Sequence, residues 1–190
     1  MSANIYPTPS SFIGMPIKAN LSILAGTYKG TRLKMPDSAG TRPTSARVRK
    51  SLFDMLGDLS GSSVLDIFSG SGALGFEAAS RGAVSVTFVD SGRRAVESIR
   101  KNGLLFHGVN LDFIRQDVFK FLKQCNSSFD LILADPPYEK VNLSGLADQA
   151  IKRLGSGGRL VIESSVREKW NSERARVKKY GDTQISIFST

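Results

Sequence analysis

This 190-residue chain is short of almost everything that builds a disulfide framework, a metal centre or a membrane span. Cys125 is its only cysteine, so no internal disulfide can form, which fits a reducing compartment. His107 is its only histidine and lies in the turn-like run Phe106-His107-Gly108-Val109-Asn110, with no partner at metal-ligand spacing. No metal is expected. Trp170 is the only tryptophan and reads as a packing anchor for the C-terminal segment. No apolar run approaches the roughly 18 residues of a membrane helix. The first residues show neither the basic flank nor the apolar core of a secretory signal. A cytoplasmic protein with no membrane partner is the expectation.

Acids are the scarcer charge, 17 against 26 Lys and Arg, for a net +9. The excess is segregated. Residues 29–50 carry seven Lys or Arg and one acid, residues 167–179 carry six and two, and the remainder is close to neutral. Clustered cations release counterions when they meet phosphates, so this distribution points to a polyanion partner.

Residues 1–20 are poor in charge and rich in Ser, Pro and Asn, and read as a mobile N-terminal arm. Residues 21–34 are apolar and β-branched around Gly26 and Gly30, which predicts a short hairpin. A helix is predicted from Thr44 or Ser45 as N-cap to Leu56, with Val48, Leu52, Met55 and Leu56 on one face. From residue 62 a βα rhythm begins. Strands predicted at Val64–Phe68, Val84–Val89, Asp112–Arg115, Leu131–Ala134 and Arg159–Glu163 alternate with helices near 73–81, 92–105, 117–124 and 143–154. Such alternation calls for a parallel sheet covered on both faces. Two last strands, ending at Tyr180 and beginning at Thr183, would pair antiparallel across Gly181-Asp182. The expected fold is α/β, doubly wound and mostly parallel, with a C-terminal antiparallel hairpin. The expected organisation is an arm over 1–20, a hairpin-and-helix extension over 21–58 and the main domain over 59–190.

Two motifs carry chemistry. Asp66-Ile67-Phe68-Ser69-Gly70-Ser71-Gly72-Ala73-Leu74-Gly75 contains G-x-G-x-x-G between a predicted strand and a predicted helix. Gly70 and Gly72 permit a tight turn and let a ligand lie on bare backbone beside Ser71. Asp90, 20 residues after Gly70, ends the next strand and can accept both hydroxyls of a ribose. A dinucleotide would suit this pattern as well. Asp66 favours a cationic ligand instead: it can brace the loop and face a sulfonium. Asp117 can receive an adenine amino group with the Val118 N–H reaching the ring, or can simply cap a helix.

The second motif, Asp135-Pro136-Pro137-Tyr138, closes the apolar run 129–134, 69 positions after Asp66. Its successive prolines stiffen the backbone. An exocyclic base amine is a poor nucleophile because its lone pair is delocalised into the ring. Accepting its two N–H protons on the Asp135 carboxylate and the Pro136 carbonyl would pull the nitrogen toward tetrahedral geometry. The lone pair would then aim at a methyl donor, while Tyr138 stacks on the flipped base. Together the motifs read as methyl transfer from S-adenosylmethionine to a nucleobase amine.

With these motifs, the chain resembles the class I S-adenosylmethionine-dependent methyltransferases, which have a Rossmann-like fold. More narrowly it resembles the bacterial family that methylates N2 of a guanine in small-subunit (16S) ribosomal RNA. The resemblance runs from about Leu24 to Phe188. Its further markers are Ala25-Gly26, Lys29-Gly30-Thr31-Arg32-Leu33, Thr41-Arg42-Pro43-Thr44 and Arg47-Val48-Arg49-Lys50-Ser51-Leu52-Phe53. The resemblance implies that Gly70, Gly72, Asp90 and Asp117 bind S-adenosylmethionine, that Asp135, Pro136 and Tyr138 hold guanine, and that the N-terminal segment helps shape the RNA site. The charge pattern independently offers Arg32, Lys34, Arg42, Arg47, Arg49 and Lys50 as phosphate contacts. The implied substrate is ribosomal RNA, free or in an assembling subunit. The rivals are a DNA adenine-N6 or cytosine-N4 methyltransferase, for which 190 residues leave little room for a target-recognition domain, and a non-catalytic RNA-binding protein.

Overall fold

A computed structural model of the protein describes residues 21–36, 45–170 and 172–190. The 1–20 arm, Arg42 and the whole Thr41–Thr44 motif lie outside them. Helix α1 (Ala46–Leu56) is capped by Ser45, whose side chain accepts the Val48 amide. Then come β1 (Ser63–Ile67), α2 (Ala73–Ser80), β2 (Ser85–Asp90), α3 (Arg93–Gly103), β3 (Asn110–Arg115), α4 (Val118–Gln124), β4 (Phe129–Ala134), α5 (Leu143–Ile151) and β5 (Leu154–Ser165). The chain ends in β6 (Arg176–Tyr180) and β7 (Thr183–Ser189).

The strands form one seven-stranded sheet in the order β3-β2-β1-β4-β5-β7-β6. Strands β1 to β5 pair parallel, and β7 runs antiparallel to both β5 and β6. The chain returns to the centre of the sheet between β1 and β4, and in open α/β sheets ligands bind at the carboxyl ends of the strands at such a switch point. Both motifs emerge there. The hairpin turns at Gly181 with φ 58°, a left-handed conformation glycine adopts without steric cost.

The central strands read as near-continuous apolar runs because both sheet faces are covered. Val64, Val86, Phe88, Leu131, Leu133, Val161 and Ile185 face a core shared with α1, α2 and residues 21–33. Their alternates Leu65, Ile67, Val89, Ile132, Ala134, Leu160, Ile162 and Phe188 face α4 and α5. Trp170 packs 5.9 Å from Phe188 on this second face, as a hairpin anchor should. Strand β5 begins at Leu154, earlier than its apolar stretch suggests, and α5 stops correspondingly sooner at Ile151. No helix among the described residues is long and apolar enough to cross a membrane.

The short N-terminal hairpin forms as expected: Ser22 bridges Arg32 antiparallel, and the Leu33, Ile23 and Gly30 amides donate to the Leu21, Thr31 and Ile23 carbonyls. Its tip rests on α2. A Cβ on Gly26 would lie 1.7 Å from the Ser80 carbonyl oxygen, and the Thr27 amide donates to that same oxygen at 2.8 Å. Two further amides, Leu24 and Ala25, donate to the buried Glu77 carboxylate at 2.8 and 3.1 Å. Leu21, Ile23 and Leu33 therefore share the core of the main domain.

Candidate active site

The chain leaves β1 through three left-handed residues in quick succession, Phe68 (φ 56°), Gly70 (φ 55°) and Gly72 (φ 79°). Phe68 and Glu139 (φ 58°) are the two non-glycine residues with positive φ among the described residues; the first lies within the glycine motif and the second directly follows Tyr138. Backbone strain of about 1–3 kcal/mol per such residue persists where surroundings enforce it, as at ligand sites. Here Ser69 enforces it, its hydroxyl donating to the carbonyls of Asp66 and Val89, both at 2.9 Å.

Two carboxylates shape the glycine loop. Asp66 is buried at the tip of β1 and accepts the Gly75 amide at 2.9 Å, fixing the first turn of α2. Burial foremost holds its carboxyl well above the usual carboxylate range. The Gly75 amide opposes that shift, and the charges of Asp135 and Asp90 add to it. Asp90 accepts the Gly70 amide at 2.9 Å on one oxygen and the Gly92 amide at 2.8 Å on the other, so it shapes the loop from the neighbouring strand. A carboxylate oxygen carries two lone pairs, which leaves each oxygen acceptor capacity toward a ribose.

The glycines serve two purposes. Gly75 and Gly72 allow close packing, since a Cβ on Gly75 would lie 2.4 Å from Cε1 of the core residue Phe88 and one on Gly72 would lie 2.6 Å from Cε2 of the core residue Phe76. At Gly70 the nearest atom would be the Phe68 carbonyl oxygen, 3.9 Å away, so that backbone faces open space. Ser71 is itself buried, and its carbonyl accepts the Asn102 side-chain amide at 3.1 Å. Asp117 caps α4 by accepting the Lys120 amide at 2.9 Å and is exposed, while the Val118 side chain is buried below it. Capping engages one of its oxygens. This set, with open backbone at Gly70 and the acceptors Asp90 and Asp117 at successive strand ends, fits S-adenosylmethionine.

The second motif lies beside the first because Ile67 and Ala134 are register partners in the β1–β4 ladder. Asp135, one residue further, is half-buried, and its charge acts on Asp66. Pro136 is buried, and Tyr138 is 44% exposed. The Tyr138 hydroxyl is 3.4 Å from that of Thr183, a long contact. Partial burial raises the phenol from its ordinary value of 10.0. The Thr183 contact opposes that rise, and the charges of Glu163, Asp135 and Glu168 add to it, so the ring is neutral near pH 7. The Glu139 amide donates to Glu168 at 2.8 Å, and the other Glu168 oxygen accepts the Ser165 amide at 2.9 Å, tying the motif to the end of β5.

The basic N-terminal residues divide. Arg32, Lys34 and Arg47 are exposed, and Lys50 is exposed but paired with Asp54 at 2.7 Å. Arg49 requires correction: it is 1% exposed, lies 3.8 Å from Glu77 and donates to the Ser22 carbonyl at 2.5 Å. A side chain so enclosed cannot reach a phosphate; it fastens α1 to α2 and to residue 22.

Three side chains that sequence reasoning passed over support the site. Glu77 gathers Arg49, Arg81 and two backbone amides in the core. Asn102, fully buried, holds Ser71 and both backbone groups of Lys34. Glu168 buttresses the second motif. Glu77 had a legible signal, as a lone acid inside an otherwise apolar helix.

A sheet of this order, with a glycine loop after β1 and an acidic, proline-rich motif after β4, defines a Rossmann-like methyltransferase fold. More narrowly, the chain belongs to the family described as conserved hypothetical protein 95, whose model matches residues 21–189. It is similar to ribosomal RNA small subunit methyltransferase D of Escherichia coli K12, 33% identical over 147 residues, covering 77% of this chain and 72% of the relative. The protein of the same name from Haemophilus influenzae is 38% identical over 142 residues, covering 72% of each. Among solved structures, a hypothetical protein of Thermus thermophilus superposes with a TM-score of 0.77 at 28% identity, over 89% of this chain and 99% of that one. A 16S rRNA N2 methyltransferase of the same organism, solved with AdoMet and guanosine, shares the fold at 24% identity and a TM-score of 0.66, over 81% of this chain and 44% of that one.

Proposed function

We propose that this protein transfers a methyl group from S-adenosylmethionine to the exocyclic N2 amine of a guanine in small-subunit ribosomal RNA, free or within an assembling particle, in the cytoplasm. The observation that carries the reading is the Ile67–Ala134 register, which sets the glycine loop and Asp135 at the mouths of adjacent strands. The names of the curated relatives supply the substrate class.

When bound, S-adenosylmethionine supplies an electrophilic methyl carbon on a positively charged sulfur. Gly70, Ser71 and Gly72 offer backbone to its nucleoside, Asp90 accepts the ribose hydroxyls, and Asp117 with the Val118 N–H holds the adenine. Asp66 keeps the loop in shape by accepting the Gly75 amide. Tyr138 stacks on the flipped guanine. The Asp135 carboxylate and Pro136 carbonyl accept the two N2 protons, orienting the nitrogen lone pair. Much of the catalysis is then positioning. As the N–CH3 bond forms the S–CH3 bond breaks, releasing S-adenosylhomocysteine. The cationic nitrogen then gives its proton to the Asp135 carboxylate and on to solvent, so Asp135 orients rather than deprotonates in advance. Arg32, Lys34, Arg42 and Arg47 are the N-terminal phosphate contacts, with Lys50 once it parts from Asp54.

A tritium-transfer assay offering 16S rRNA and duplex DNA in parallel tests this reading. Label in RNA alone is expected. Label in DNA alone would assign the DNA-directed chemistry, and saturable RNA binding without S-adenosylmethionine affinity would assign a non-catalytic RNA-binding protein.

A further inference from the structure

Strand β6 is the outermost strand of the sheet, and Arg176, Val177, Lys178 and Lys179 are all exposed on it. Side chains alternate along a strand, so Arg176, Lys178 and Tyr180 share one face. Their register partners fix which face it is: Arg176 pairs with Ile187 and Lys178 with Ile185, and both isoleucines belong to the core shared with α1. Tyr180 confirms the assignment, because its hydroxyl lies 2.5 Å from that of Ser51 on α1. Lys178 sits over the Tyr180 ring, 5.4 Å from its centroid. The basic strand and the basic helix are thus joined edge to edge, with Arg47 and Lys50 on one side of the Ser51–Tyr180 contact and Lys178 and Arg176 on the other.

This surface reaches the reaction centre. Thr183 pairs with Tyr180 in one ladder and with Ser165, the last residue of β5, in the other. The β6–β7 turn therefore lies at the carboxyl edge of the sheet, where Thr183 approaches the Tyr138 hydroxyl. Exposed charge on an edge strand also deters pairing with other sheets, but charge of either sign does that. Here the three charges on β6 are all positive, as is Arg174 before them.

We propose that the α1-facing side of β6, Arg176 and Lys178 above all, is a second phosphate-binding surface, and that the RNA backbone flanking the target guanine runs between it and the first turns of α1. This deepens the reading of the protein as an RNA methyltransferase and rests on it for the identity of the RNA. Nothing in that reading assigns RNA contacts to the C-terminal hairpin.

The test compares Arg176→Glu/Lys178→Glu with Arg176→Gln/Lys178→Gln and with a charge-matched control, Lys123→Glu/Lys152→Glu, on exposed positions of the opposite side. Binding to a naked 16S rRNA fragment is measured across salt concentrations, alongside S-adenosylmethionine affinity as a check of folding. The Glu pair is expected to weaken RNA binding by about tenfold or more and to lower the salt slope by about one to two. The Gln pair should do so less, and the control should do neither. Unchanged affinity and slope in both β6 variants would overturn the proposal. So would a loss seen only on a protein-containing ribosomal particle, which would assign the surface to an acidic protein. The binding readout does not depend on turnover. Absence of methyl transfer by the unmodified protein would therefore count against the enzyme reading, while the β6 result would still decide this one.

Discussion

Asn102 donates its side-chain amide to the carbonyl of Ser71 at 3.1 Å and to that of Lys34 at 3.0 Å, while its oxygen accepts the Lys34 amide at 2.8 Å. One buried side chain on α3 thus joins the glycine loop to the N-terminal segment. Ser98 adds a 2.7 Å bond to the same Lys34 carbonyl. Whatever orders the loop also holds the segment that leads toward the expected RNA contacts.

Asn102→Ala would leave the buried Ser71 carbonyl and the part-buried Lys34 amide without their partner, at a cost of about 1–3 kcal/mol. The expected result is a lower unfolding midpoint in urea together with weaker S-adenosylmethionine binding by calorimetry. If stability falls but cofactor affinity is unchanged, Asn102 serves packing alone.

Arg49→Met should destabilise the protein by about 3 kcal/mol, the lower end for breaking a buried ion pair, because Glu77 keeps Arg81 and two backbone amides. RNA affinity measured on the folded variant should match that of the unmodified protein. A reduced salt slope in RNA binding with normal stability would restore Arg49 as a phosphate contact.

Asp66 has a folded-state pKa raised above its ordinary value of 3.8, chiefly by burial. Above that value the unfolded chain releases a proton that the native state retains. The associated stability is complete below pH 3.8 and is lost as pH rises through the folded-state value. Asp66→Asn removes this dependence, so its stability curve should be flatter on the alkaline side. Superimposable pH–stability curves would refute the raised pKa of the buried carboxyl.

The fold was legible wherever local chemistry sufficed. Ser45 as a cap, Gly181-Asp182 as a hairpin turn, and the alternation of strands and helices follow from residue types and spacing. The two motifs were legible because each compresses its chemistry into a few consecutive residues. What sequence concealed were partnerships across distance. Arg49 sits among exposed cations in the chain, and only folding brings Glu77, in another helix, against it. Asn102 resembles any polar helix residue until its spacing from Val96 and Ile99, both buried, puts it on the inward face. The short N-terminal hairpin was legible, but the close approach of Gly26 to α2 was not.

The central claim is tested most directly by digesting 16S rRNA to nucleosides after reaction with the protein and S-adenosylmethionine, and weighing the products. N2-methylguanosine at a single position is expected with the unmodified protein. With Asp135→Ala, turnover should fall by about 10² to 10⁴ while S-adenosylmethionine affinity stays within about twofold. A different methylated nucleoside, or undiminished turnover by Asp135→Ala, would contradict the account.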